Sequence, residues 1–181
     1  TSAEMLNKFF SRYIAGPDTT KRFLTALLIS LTVCYGSGRV GTLPIVHLTG
    51  PSGGGKSATM SCMTTYLFGL NQLMLYTTAA AFRAAPSEIF FAHDDRENQR
   101  IAPEMVDFLL LCATKAKRSM CEQGSQVNVV NQQAHVVNGV TSIEQLPSVA
   151  LRRRTLVVEI NKDNFPSAEE LMEGDIDDIS E

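Results

Sequence analysis

Residues 43–60 read LPIVHLTGPSGGGKSATM: a short apolar run, then four glycines, a lysine and a serine. An apolar run of this length, bounded by turn residues, predicts a buried strand over Leu43–Thr49. The next eight residues, Gly50-Pro-Ser-Gly-Gly-Gly-Lys56-Ser57, fit G-x-x-x-x-G-K-[ST] at every position. The glycines have a physical cause. Backbone N–H groups can converge on an anion only in main-chain conformations that side chains obstruct. A helix predicted from Lys56 to about Leu70 starts at the loop, so its free N–H groups and dipole face the same anion. Lys56 would then reach the β- and γ-phosphates of a nucleoside triphosphate, and the Ser57 hydroxyl would hold Mg2+. Gly50, Pro51, Ser52, Gly53, Gly54, Gly55, Lys56, Ser57 and Ala58 form the expected nucleotide-binding segment.

Working outward, residues 1–36 read as a helical segment, with one helix predicted over Lys21–Tyr35. Residues 37–166 form the expected core. Strands are predicted at Gln72–Thr77, Ile89–His93, Val127–Val130, His135–Asn138 and Thr155–Ile160, and a helix at Ala102–Cys121. Strands separated by helices predict a mostly parallel sheet with helices on both faces, an α/β fold. Residues 167–181 read as a flexible acidic tail.

The 181 residues carry 16 Lys+Arg against 19 Asp+Glu, a net charge of −3. The tail alone holds seven acidic and no basic residues, leaving a body of 16 against 12, or +4. That is compatible with a nucleic-acid partner without requiring one. Cys34, Cys62, Cys112 and Cys121 show no C-x-x-C pairing and read as reduced thiols of a cytoplasmic protein. The longest apolar run, Phe23–Tyr35, is too short to span a bilayer, so no membrane role is expected. The chain opens without Met and stops in an acidic run, which suggests a piece of a larger polypeptide.

A Mg2+-bound triphosphate needs a carboxylate at the end of a neighbouring strand. EIFFAHDDREN supplies Asp94 for a water-mediated Mg2+ contact and Asp95 to polarise an attacking water; the plain alternative is an acidic surface turn. Asn138, read as the end of a strand before Gly139, is a candidate for sensing the γ-phosphate, although Asn-Gly is also an ordinary turn signal. Arg152, Arg153 and Arg154 stand before the last strand, where an arginine can stabilise charge on a transferring phosphoryl group. Lys115, Lys117 and Arg118 fall at helical spacing, and read either as a solvated face or as a contact to a nucleic-acid backbone.

This order of motifs, ending in L-P-x-x-x-L-x-x-R before a strand, resembles the AAA+ class of P-loop NTPases. More narrowly it looks like superfamily 3-type helicases and the ATPase domains of phage, plasmid and virulence-associated primase–helicase proteins. The resemblance covers roughly Phe9–Ile160. It implies an ATP- and Mg2+-dependent ATPase working as a DNA helicase in a ring. Within it, Asn138 matches the sensor asparagine and Arg154 best matches an arginine finger acting on the neighbouring subunit. Two departures are Asp95, where the family commonly has Glu or Asn, and Arg153, where an Asp usually precedes the finger. A small P-loop kinase and a slow ATP-dependent switch are the alternative readings.

Overall fold

A computed structural model describes residues 42–68, 78–85, 88–94, 101–114, 117–121, 129–133 and 136–160. From the N-terminal stretch it describes residues 4, 19, 20, 22–24, 26, 27, 30 and 31, all of them helical. The expected strand at Gln72–Thr77, together with Asp95, Lys115 and the acidic tail, lies outside the described residues.

Four strands form an all-parallel sheet: β1 (Ile45–Thr49), β2 (Phe90–His93), β5 (Val137–Ser142) and β6 (Thr155–Glu159), in the order β2-β5-β1-β6. Helix α1 (Lys56–Phe68) follows β1, and α2 (Thr78–Ala84) precedes β2. Helix α3 (Pro103–Thr114) follows β2, and the short α4 (Val149–Arg152) precedes β6. Strands β3 (Lys117–Cys121) and β4 (Val129–Gln133) pair antiparallel as a separate ribbon. The chain is therefore α/β, with a parallel sheet covered on both sides. No helix among the described residues is long and apolar enough to cross a membrane.

The two-residue period of the strands sorts their side chains into two cores. Val46, Leu48, Phe90, Ala92, Val137 and Val158 pack with Met60 and Met63 of α1, and with Leu24 and Leu31 of the N-terminal helical segment. Ile45, Phe91, Val136 and Val140 face the other way, onto Phe82 of α2 and onto Met105, Phe108, Leu109 and Cys112 of α3. The α3 residues recur at i, i+3, i+4 and i+7, one stripe of the helix, and Pro103 starts it where its missing N–H is harmless. Phe82 and Phe108 meet edge to face at 4.8 Å, worth ~1 kcal/mol beyond the area they bury.

Gly139, in the middle of β5, lets α1 come close. A Cβ there would stand 2.6 Å from the Met60 Sδ and 2.7 Å from the Phe90 Cζ, both in fully buried side chains. This glycine continues the strand: β5 runs from Val137 through Gly139 to Ser142, not from His135 to Asn138. The expected helix over Ala102–Cys121 is also shorter. It is assigned over Pro103–Thr114, and Lys117 and Arg118 fall on β3 instead.

Candidate functional site

The C-terminal ends of parallel strands gather chemistry because the connections leaving them converge there. Here β1 ends at Thr49 and enters the glycine-rich loop. Ile160 N–H bonds the Thr49 carbonyl at 2.7 Å, which brings the end of β6 against the loop. Gly50 has φ 152°, and a Cβ on it would lie 2.1 Å from the Ile160 carbonyl oxygen, so only glycine fits. Gly54 N–H closes a turn on the Pro51 carbonyl at 3.0 Å, and α1 starts two residues later. Pro51, Ser52 and Gly53 are exposed, so the mouth of the loop is open to solvent.

Lys56 is the first residue of α1 and only 7 % exposed. Its Nζ donates to the carbonyls of Gly50 at 3.0 Å and Pro51 at 2.9 Å. The ammonium is thus held across the loop, beside the start of α1. Ser57 comes next, on the exposed side, and its hydroxyl donates to Asp94 Oδ1 at 2.8 Å. Asp94 stands immediately after β2, two strands away from β1 in the sheet. The strand between them, β5, adds a third group: the Thr141 hydroxyl donates to the same Asp94 Oδ1 at 2.6 Å.

Two hydroxyls and a carboxylate therefore meet beside a lysine and a helix N-terminus. Oxygen ligands of this kind, few in number, are what a hydrated Mg2+ accepts, with water or phosphate oxygens filling its other positions. Ser57 and Asp94 are the residues that could hold it.

Asn138 is elsewhere. It is the second residue of β5, 2 % exposed, and alternation turns it toward α3, away from the loop. Its Nδ2 donates to the Val136 carbonyl at 3.1 Å, which fixes the amide orientation and makes Oδ1 the acceptor facing His93 Nε2 at 3.0 Å. Cys112 of α3 also bonds the Asn138 side chain, but burial dominates and pushes its thiol up to about 12. The position that sequence reasoning gives to Asn138 is occupied by Thr141. An alternating reading of VNGVTS, with its glycine kept inside the strand, is the signal that finds it.

On the same buried face, His47 Nε2 lies 2.6 Å from Ser142 Oγ, whose hydroxyl donates to the Glu144 carbonyl at 2.6 Å. Since the serine proton is already committed, the His47 Nε2–H is the donor. Burial lowers the His47 pKa and keeps the ring neutral.

The arginines lie at the opposite edge of the sheet. Ile45 N–H bonds the Arg154 carbonyl at 2.9 Å, so Arg154 is level with the start of β1. Gly50 is five residues further on, about 17 Å at 3.3–3.4 Å per residue. Arg152, Arg153 and Arg154 are all exposed, and Arg154 Nη1 donates to the Ala150 carbonyl at 3.0 Å. An open groove of about 630 Å3 runs along α3, past Leu110 and Leu111, to Arg154; it shares no residue with the loop. None of the three arginines reaches the loop of its own chain. No protein-family model matches the sequence, and no curated protein matches it significantly, so the reading of the site rests on its geometry.

Proposed function

We propose that this chain is the ATP-binding and hydrolysing core, of P-loop and AAA+-like type, of an oligomeric motor acting on DNA. The observation that carries the nucleotide site is the meeting of Ser57 and Thr141 on one oxygen of Asp94, directly beside the Lys56 loop. The triphosphate lies along the loop. Loop and helix N–H groups cradle it, and the Lys56 ammonium exchanges its carbonyl partners for phosphate oxygens. Ser57 and Asp94 would hold Mg2+, which would neutralise charge on the phosphates. Thr141 keeps the Asp94 carboxylate aimed at that place. Catalysis of this kind is mostly positioning and charge stabilisation.

The arginines support the oligomeric part of the proposal. A group about 17 Å along the sheet from its own loop serves a phosphoryl group only on another copy. Arg154, or its neighbours Arg152 and Arg153, then completes the site of the next subunit, and the rate per subunit depends on association. The nucleic-acid substrate rests on the resemblance of the motif order and on the net +4 charge outside the tail.

The test is ATP hydrolysis against protein concentration, with and without single-stranded DNA, beside Lys56→Ala. The expected outcome is a rate per subunit that climbs with concentration and with DNA, and that disappears in Lys56→Ala. Dependence on a small-molecule acceptor would instead make the chain a kinase. Tight ATP binding with a flat, negligible rate would make it a switch.

A further inference from the structure

Consecutive residues His93 and Asp94 sit at the end of β2, and each is tied to β5, but from opposite faces of the sheet. On the loop face, Asp94 Oδ1 accepts the hydroxyls of Ser57 and Thr141. On the α3 face, His93 is 1 % exposed and its Nε2–H donates to Asn138 Oδ1. The imidazole is also held by ring edges: its centroid is 6.2 Å from Phe91 at 73° and 6.5 Å from Phe108 at 75°. Asn138 cannot drift with it, because its own Nδ2 bonds the Val136 carbonyl. The pairing of β2 with β5 ends at His93↔Val140, so Asp94 lies one residue past the last paired position. The residue before Asp94 is thus the last one held both by the ladder and by a buried side-chain bond to β5.

We infer that His93, braced by Asn138, is a positioning residue that sets where Asp94 presents its carboxylate to the metal of the nucleotide site. This rests on the proposed nucleotide site and extends it to a pair on the far side of the sheet. Removing the brace lets the end of β2 move, which weakens metal binding. The contacts of Lys56 and the loop with nucleotide are untouched. Groups that orient metal ligands typically contribute 10–100-fold to metal affinity.

The test uses the intact 181-residue chain and a fluorescent non-hydrolysable ATP analogue, titrated with and without Mg2+. His93→Leu keeps the bulk and removes the donor. His93→Gln restores a donor near the Nε2 position. The expected result is a Mg2+ half-saturation raised roughly tenfold in His93→Leu and returned to within about twofold by His93→Gln. Binding in EDTA should be unchanged in both. If His93→Leu fails to fold by circular dichroism, His93→Asn, an amide too short to reach Asn138, replaces it with the same expectation. A folded His93→Leu or His93→Asn with native Mg2+ dependence overturns the inference, as does a His93→Gln no better than they are. Asp94→Asn is the reference. If it leaves the Mg2+ dependence unchanged, the metal-site reading falls and this inference with it. If it raises the half-saturation and the His93 variants do not, only this inference falls.

Discussion

The two faces of the β2-β5-β1 sheet carry similar polar residues, yet use them in opposite ways. On the α1 face, Ser57 and Thr141 both donate to Asp94 beside the loop, where Ser57 is exposed and Asp94 half-buried although Thr141 is buried. On the α3 face, His47 with Ser142 and His93 with Asn138 are sealed inside, each residue at most 5 % exposed. Satisfied pairs in a dry interior fix the relative positions of strands, because leaving one member unpaired costs its desolvation. The same kinds of group at a wet edge can exchange protein partners for a ligand at little net cost. Strand parity, and not residue type, decides which role a side chain takes.

Crossing the two faces by mutation is the sharpest way to break that comparison. Thr141→Val removes a hydroxyl bonded to a charged carboxylate, a contact worth about 1.5–3 kcal/mol. If that energy is expressed in turnover, ATP hydrolysis at the proposed site falls about 10- to 100-fold. Asn138→Ala has the opposite profile. It takes the side-chain partner from His93 Nε2–H and from the Val136 carbonyl, and should destabilise the fold by roughly 2–3 kcal/mol, with nucleotide binding in EDTA intact. Denaturant titration beside nucleotide binding measures both. If Asn138→Ala abolished metal-free nucleotide binding in a folded protein, the division between the faces would not hold.

This parity is also why the site is only partly legible in the sequence. Strand, glycines, Lys56 and Ser57 are contiguous, so their chemistry can be read without knowing what packs where. Asp94 comes after an apolar strand that ends where expected, and it does meet Ser57. Asn138 misleads because Asn-Gly looks like a turn, while in β5 the glycine answers a tertiary demand: the closeness of Met60 and Phe90. Giving Asn138 the place of Thr141 is a shift of three residues, an odd number, which exchanges the two faces of the strand. The over-extended helix at Lys117–Cys121 has a similar cause. Those residues pair with β4, a non-local partner that helical spacing cannot register.

Gly139→Ala tests the packing side of that explanation. The added methyl would meet the Met60 Sδ and Cε and the Phe90 Cζ at 2.6–2.7 Å, in fully buried side chains. Methionine can bend away but aromatic carbon cannot, so an overpacking cost of about 1–3 kcal/mol is expected. Because α1 carries Lys56 and Ser57 at its first turn, the variant should also weaken nucleotide binding. A Gly139→Ala protein of native stability would mean that the glycine is not what holds α1 against the sheet.

The smallest expected effect belongs to His47, and its sign distinguishes a buried neutral pair from a charged one. Burial holds the folded pKa of His47 below its ordinary 6.5, so the unfolded chain binds a proton that the folded chain refuses. Below about pH 6.5 the unfolded state binds more protons, and stability falls as pH drops, at no more than about 1.4 kcal/mol per pH unit. Above that pH the two states bind equally and the slope from this residue vanishes. His47→Gln keeps a donor toward Ser142 but cannot titrate. The difference in unfolding free energy between wild type and variant should therefore be flat from about pH 7 to 8. It should move in favour of the variant as pH falls below about 6.5. A difference that moved in favour of wild type on acidification would mean that the ring gains a stabilising charge, and that this face of the sheet is not the dry, neutral brace its hydrogen bonds describe.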